Sequence, residues 1–178
     1  MPIQFRDNLD PDYVKSALRY NPETGVMSWN FRTDMSAAWN GRNAGKPAGT
    51  KTQNGYVAIS INNKLYLSHR LAWVIMTGGW PRQEIDHVNR DRSDAKWSNL
   101  REASRIENSR NVASTSRSKS GYKGVSYDKG MKSWVARIKI GSRYVVLGYR
   151  GDPETASSLY AAAAMANHGP FIPYQGIK

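Results

Sequence analysis

The stretch IDHVNRDRSDAKWSNLREASRIENSRN, residues 85–111, gathers side chains suited to hydrolysis at a metal ion. Asp86 is a carboxylate beside the imidazole of His87, and the amides Asn99 and Asn108 follow. Carboxylate and amide oxygens are the donors that hard divalent cations take, so Asp86 and Asn108 suit one Mg²⁺ or Mn²⁺ whose other positions stay with water and a phosphate. An imidazole with an ordinary pKa of ~6.5 suits deprotonation of water near neutral pH. Phosphodiester cleavage asks for this combination of a nucleophilic water, a base, and positive charge on the leaving and non-bridging oxygens. Taken singly, an Asp-His pair at a strand end, an Asn before a Leu, or an Asn on a helix is more often an ordinary surface or turn residue; the ordered set points to a site. Cysteine is absent, which excludes disulfides, thiol catalysis and cysteine-ligated zinc.

Two short strands and a helix must hold these groups. Ile85–Val88 and Asn99–Arg101 read as strand-like ends around a polar turn, and strand alternation sends His87 to the opposite side from Asp86. Ser104-Arg105-Ile106-Glu107 fits a capping box, so a helix starts at about Ser104 and includes Asn108. A hairpin followed by a helix can bring Asp86-His87 against the first turns of that helix. Upstream, Asp10-Pro11 reads as N-cap and first residue of a helix running to Tyr20, with Tyr13, Val14, Ala17 and Leu18 on one face. Val26–Asn30 reads as a strand, and 40–49, with three glycines and Pro47, as loop. Tyr56–Ile61 and Lys64–Leu67 around Asn62-Asn63 make a hairpin, and Ser68–Thr77 a buried helix ended by Gly78-Gly79.

The 178 residues carry a net charge of +12 at 39% apolar composition, enough for one sizeable domain or two small ones. The charge is uneven: −1 over 1–25, +5 over 26–81, +1 over 82–113, +8 over 114–151 and −1 over 152–178. The +8 block interleaves its cations with Tyr122, Tyr127, Trp134, Tyr144 and Tyr149, as a phosphate-contacting surface would. No apolar run approaches the ~18 residues of a membrane span. The N-terminus lacks the layout of a signal peptide, so the expected location is the cytoplasm, that of a host cell if the chain is phage-encoded.

Asp86-His87, Asn99-Leu100 and Glu107-Asn108, with the upstream SHRLAW and GGWPRQEIDH segments, resemble the HNH endonuclease family in its phage and intron-homing form over about 20–111. The resemblance implies a ββα-metal core at 84–111, His87 as general base, Asn99 as the brace of the hairpin loop, and Asp86 and Asn108 as ligands of Mg²⁺ or Mn²⁺. His69, Arg70, Arg101 and Arg105 are placed as DNA contacts. Relatives tend to have Asp-Asn-Arg where this chain has Asp94-Ala95-Lys96, so an Asn that would help order the loop is missing.

Val112–Ser120 is Ser/Thr-rich and nearly devoid of apolar residues, which marks a linker. Beyond it Tyr122–Tyr127, Ser133–Ile140 and Tyr144–Tyr149 read as strands and Glu154–Asn167 as a helix. Tyr122-Lys123-Gly124-Val125, Trp134–Ile138, Leu147-Gly148-Tyr149 and Glu154-Thr155-Ala156 resemble the DNA-binding domain of plant APETALA/ethylene-response factors. That resemblance implies a three-stranded antiparallel sheet, packed on one helix, whose exposed face enters the major groove. Strand alternation puts Trp134, Ala136, Ile138 and Ile140 on one face and Val135, Arg137 and Lys139 on the other, with Val145 and Leu147 inside and Val146 outside. Ala156, Ala163 and Ala166 let the helix approach closely. Lys123, Ser126, Arg137, Lys139 and Tyr144 are then the outward DNA contacts, with Arg143 reaching a phosphate from the edge.

The expected fold is α+β, with a nuclease domain at 1–111, a linker at 112–120 and a DNA-binding domain at 121–178. The expected function is divalent-metal-dependent cleavage of double-stranded DNA, directed by the C-terminal domain, with nicking by a monomer and no membrane partner. A homodimer, cutting both strands, stays open. The alternative is a non-catalytic DNA-binding regulator on a degenerate HNH scaffold, and an RNA-binding protein is a weaker third.

Overall fold

The computed structural model describes residues 7–110 and 119–168. Its contacts divide the chain into two compact units, Met1–Arg105 and Ile106–Lys178, each a mixture of helices and small sheets. The expected linker falls largely at 111–118, outside the described residues, and the division of contacts comes earlier in the chain, so Asn108 goes with the second unit.

In the first unit, α1 (Pro11–Ala17) starts where Asp10 Oδ1 accepts from the backbone N–H of Asp12 and Tyr13, at 2.9 and 3.1 Å. The helix stops three residues before the expected Tyr20. Leu18 turns extended, and β1 (Leu18–Tyr20) pairs antiparallel with β2 (Met27–Trp29). Apolar residues whose spacing suits a helix face are here claimed by a partner strand, so Leu18 and Tyr20 are buried from a sheet instead.

The expected loop at 40–49 is also corrected, because α2 (Ala37–Asn43) occupies its start. Ser36 caps it through a 3.2 Å bond from the Trp39 N–H, and buried Asn40 accepts from the Arg32 N–H at 2.9 Å while donating to the Arg32 carbonyl at 2.8 Å. A buried amide that satisfies the backbone of the connection between β2 and α2 outweighs the cost of Gly41 inside the helix. Arg32 is itself buried against the Tyr13, Trp29 and Trp39 rings, its charge matched by Asp34.

β3 (Thr50–Lys51), β4 (Val57–Ile61) and β5 (Lys64–Leu67) form a three-stranded antiparallel sheet. Asn62 and Asn63 both have positive φ, 50° and 58°, which gives the two-residue turn that matches strand twist. α3 (Ser68–Thr77) follows at once and ends at Gly78, φ 81°, whose N–H bonds the Val74 carbonyl at 2.8 Å. Ile59, Ile61, Tyr66, Leu71 and Val74 pack with Val14 and Leu18 as the core. β6 (Glu84–His87) and β7 (Leu100–Ala103) pair antiparallel, and α4 (Arg105–Arg110) comes directly after in sequence.

In the second unit, β8 (Val125–Asp128), β9 (Ser133–Ile140) and β10 (Arg143–Arg150) form a sheet with β9 central, and α5 (Pro153–His168) packs on it. Asp152 caps α5 by accepting from the Thr155 N–H and hydroxyl, both at 2.7 Å. The core is Val125, Ala136, Ile138, Ala156, Tyr160 and Ala164. Gly124 makes this approach possible: with φ 72°, a Cβ there would lie 2.1 Å from the Tyr160 ring.

Three expectations for this sheet change. Register slips between Val146 and Gly148, so Leu147 is the extra residue of a bulge and Tyr149 moves onto the face of Val135 and Ser126. Val135, expected to face water, is 1% exposed between those neighbours on the central strand. Ile140 and Val145, expected inside, are exposed where the sheet runs past its core, and Ala166 is exposed too.

Candidate active site

β6 ends at the site. Asp86 and His87 are its last two residues, paired across the hairpin with Arg101 and Leu100. Asp86, His87, His69 and Asn99 are each 7% exposed or less, an unusual density of buried polar side chains for one small unit. Such burial has to be matched by partners.

Asn99 supplies part of that match. It closes the 3₁₀ turn Trp97–Asn99 between the β6–β7 loop and β7. Its Oδ1 accepts from the Asn89 N–H at 2.9 Å and its Nδ2 donates to the Asp94 carbonyl at 2.7 Å, so one side chain ties both ends of the loop. Within the loop Asn89 Nδ2 donates to Asp94 Oδ2 at 2.8 Å, and Asn89 Oδ1 accepts from the Asp91 N–H at 2.8 Å.

The Asp94-Ala95-Lys96 segment is tied down from far upstream in the chain. The Tyr20 hydroxyl donates to the Ala95 carbonyl at 2.6 Å, and the Trp97 N–H donates to the Pro22 carbonyl at 2.9 Å. Gly25, φ 74°, lies so close that a Cβ would stand 2.6 Å from Lys96 N. Burial, with the nearby Asp94 charge, pushes the Tyr20 phenol up to about 12, so it stays a donor. The β1–β2 turn therefore straps the loop that follows His87.

Asp86 Oδ2 accepts from Arg101 Nε at 2.8 Å and Nη2 at 2.6 Å. Arg101, expected to face DNA, is thus turned onto Asp86. His87 has the His69 ring at 4.8 Å, edge to face, and the Tyr56 ring at 6.0 Å; Tyr56 also lies 5.3 Å from His69. Burial lowers the His87 pKa, with Asp86, Asp91 and Asp94 opposing and Arg92 adding to the fall. His69 is pushed down to about 3, chiefly by burial and then by His87 and Arg70. Both imidazoles are neutral at pH 7, which leaves His87 able to accept a proton.

Burial takes His69, expected on the DNA side, away from direct contact, and its Nδ1 finds no hydrogen-bond partner among the described residues. Arg70 is also committed, to the Asp7 carboxylate (Nε–Oδ1 2.8 Å) and to the Gln83 carbonyl at 3.2 Å. Arg105 is exposed at the start of α4, and Asn108 is half-buried on the same helix. In the second unit Ser126, Arg137, Lys139, Arg143 and Tyr144 are exposed and Lys123 half-buried. Lys139 Nζ sits 5.9 Å from the Tyr144 ring, and Arg137 reaches Asp128 at 3.5 Å. The residues that sequence reasoning missed are Tyr56 and Arg92; an aromatic before a strand and one more arginine in a charged loop carry no signal of their own.

Among the described residues no three His, Cys, Asp or Glu side chains are grouped to hold a metal ion, and no helix is long and apolar enough to cross a membrane. No curated protein and no solved structure matches the chain. Residues 66–110 match the model of a family described as HNH endonuclease. That span runs from the end of β5 through α3, both strands of the β6–β7 hairpin and α4, and the match supports an HNH nuclease, an enzyme whose substrate is DNA.

Proposed function

We propose that the protein is a divalent-metal-dependent DNA endonuclease that hydrolyses phosphodiester bonds at the β6–β7 hairpin and is directed by its C-terminal sheet. The observation that carries this reading is the buried His87 at the end of β6, beside Asp86 and next to a loop tied at both ends by Asn99. His87 takes the proton of the attacking water. Asn99 keeps the loop in shape, and the rings of His69 and Tyr56 hold the imidazole in place.

The chemistry of the donors suits a hard cation: Asp86 offers a carboxylate oxygen that would take Mg²⁺ or Mn²⁺, and the sequence resemblance adds the amide oxygen of Asn108. Asp86 would have to share its carboxylate between such an ion and Arg101, or give up Arg101. When bound, the ion supplies positive charge to the phosphate and leaving oxygens. The exposed Arg137, Lys139 and Tyr144 side chains lie on the face of a sheet that resembles the APETALA/ethylene-response-factor domain, and a sheet of that width suits a major groove of ~12 Å. One site cuts one strand per engagement, so a monomer nicks.

The Asp86–Arg101 ion pair favours a second reading, a DNA-binding regulator whose carboxylate is permanently occupied. Supercoiled plasmid incubated with Mg²⁺, Mn²⁺ or EDTA separates the two. The nuclease gives relaxed product that needs metal. His87→Ala lowers its rate by roughly 10²–10⁴, the worth of a general base, with gel-shift binding unchanged. Asn108→Ala also stops cleavage. Binding with no cleavage of plasmid or of a genomic-fragment pool favours the regulator.

A further inference from the structure

The arginines of the first unit differ in what holds them. Arg32, Arg70 and Arg101 are each paired with a carboxylate: Asp34, Asp7 and Asp86. Arg92, on the loop between β6 and β7, has no carboxylate partner among the described residues. Its guanidinium carbon lies 5.0 Å from the Tyr56 ring centroid, and Nη1 donates to the Asn54 carbonyl at 3.3 Å. An aromatic face and a carbonyl direct a guanidinium without neutralising it. The ring that holds Arg92 is also the one beside His69 and His87, so a fixed, exposed positive charge stands one ring away from the proposed base.

A second cation arrives from another segment. Lys51, at the end of β3, reaches Ser93 Oγ at 3.3 Å. The loop's own carboxylates are turned onto loop donors: Asp91 Oδ1 accepts from the Ser93 N–H at 2.9 Å and hydroxyl at 2.6 Å, and Asp94 Oδ1 accepts from the Lys96 N–H at 3.2 Å. Lys51 and Arg92 thus converge on residues 92–93 as exposed cations, the first on the sheet and the second on the loop.

We propose that Arg92 and Lys51 form a backbone-phosphate site on the catalytic unit, which grips the DNA strand at the rim of the β6–β7 loop. The assignment deepens the nuclease reading and rests on it for the rate effect alone. The guanidinium fork suits two phosphate oxygens, whereas the ammonium adds charge.

The test uses the full chain in two assays: duplex DNA binding in EDTA across a salt series, and plasmid cleavage with Mg²⁺ or Mn²⁺. Arg92→Gln and Lys51→Gln each reduce the slope of log affinity against log salt by about 0.9, the value of one phosphate contact. Each slows cleavage roughly tenfold by letting the strand shift from the base. Arg92→Lys restores the slope but not the full rate. Lys64→Gln, at the far end of the β4–β5 hairpin, changes neither. Both sites are exposed, and an unchanged tryptophan-fluorescence melt shows that the fold persists. Unchanged slopes in Arg92→Gln and Lys51→Gln, or no DNA binding by the wild type, overturn the site. If slopes fall but the wild type never cleaves, the phosphate site stands and the nuclease reading fails; if the wild type cleaves and slopes hold, the reverse is true.

Discussion

The side chains proposed for catalysis lie buried in the first unit, and those proposed for DNA contact stand exposed in the second. Asp86, His87, His69 and Asn99 are buried among rings and loop hydrogen bonds, whereas Ser126, Arg137, Lys139 and Tyr144 stand on an open sheet face, Tyr144 at 72% exposure. The contrast follows from what each task needs. A base must be held neutral and aimed, and burial does both at the cost of partners for every polar atom. A surface that meets phosphates and base edges works through charge that water has kept available, and it needs few internal bonds. The sheet can therefore be built on one alanine-rich helix, while the site draws on β1–β2, α3 and the Tyr56 ring just before β4 for support.

The largest test of that contrast is Gly124→Ala. The added methyl meets the Tyr160 ring and the Arg137 carbonyl at a positive φ, which costs the second unit about 3 kcal/mol or more. DNA binding should collapse while the fluorescence melt, dominated by the five of six tryptophans in the first unit, holds its midpoint. A parallel fall of both would mean that the units do not fold separately, and the comparison would break.

Acid gives the next effect. His69 is depressed to about 3 when folded, so the unfolded chain binds its proton first. Its contribution is complete above ~6.5 and fades as pH drops toward 3, about 2 kcal/mol lost by pH 5. Fluorescence melts from pH 7 to 5 should therefore shift downward, and His69→Phe should flatten the trend. A wild-type midpoint indifferent to pH would contradict the burial argument.

The smallest effect belongs to the exposed face. Lys139→Gln should lower the salt slope of binding by roughly 1 and leave stability within about 0.5 kcal/mol. A larger loss of stability would show that this face is less independent of the core than its exposure implies.

Much of the frame was legible because local signals agreed with distant ones. Asn62-Asn63 must turn and Gly78 must end a helix whatever surrounds them. β1 was misread because Leu18 and Tyr20 satisfy a helical period equally well, and only Met27–Trp29 decides otherwise. α2 was missed because Gly41 and Gly45 outweigh a cap whose value lies in Asn40 bonding the Arg32 backbone. At the site, the order Asp86, His87, Asn99 is visible in the sequence, but the ring of Tyr56 reaches His87 from 31 positions away. Val135 was misplaced by alternation alone; the bulge at Leu147 that brings Tyr149 beside it is marked only by Gly148, a single glycine within a strand-like run.

The stretch that matches the HNH model and the stretch that shapes its loop are of different lengths. The loop carrying Asp94-Ala95-Lys96 owes its shape to Tyr20, Pro22 and Gly25, all upstream of residues 66–110. A segment excised at the family boundaries would keep Asp86, His87 and Asn99 and lose the clamp on the loop beside them. Drift at Gly25 would have the same outcome by a quieter route: any side chain there presses on Ala95 and Lys96, and the gene would go on looking intact to anyone who reads only the motif.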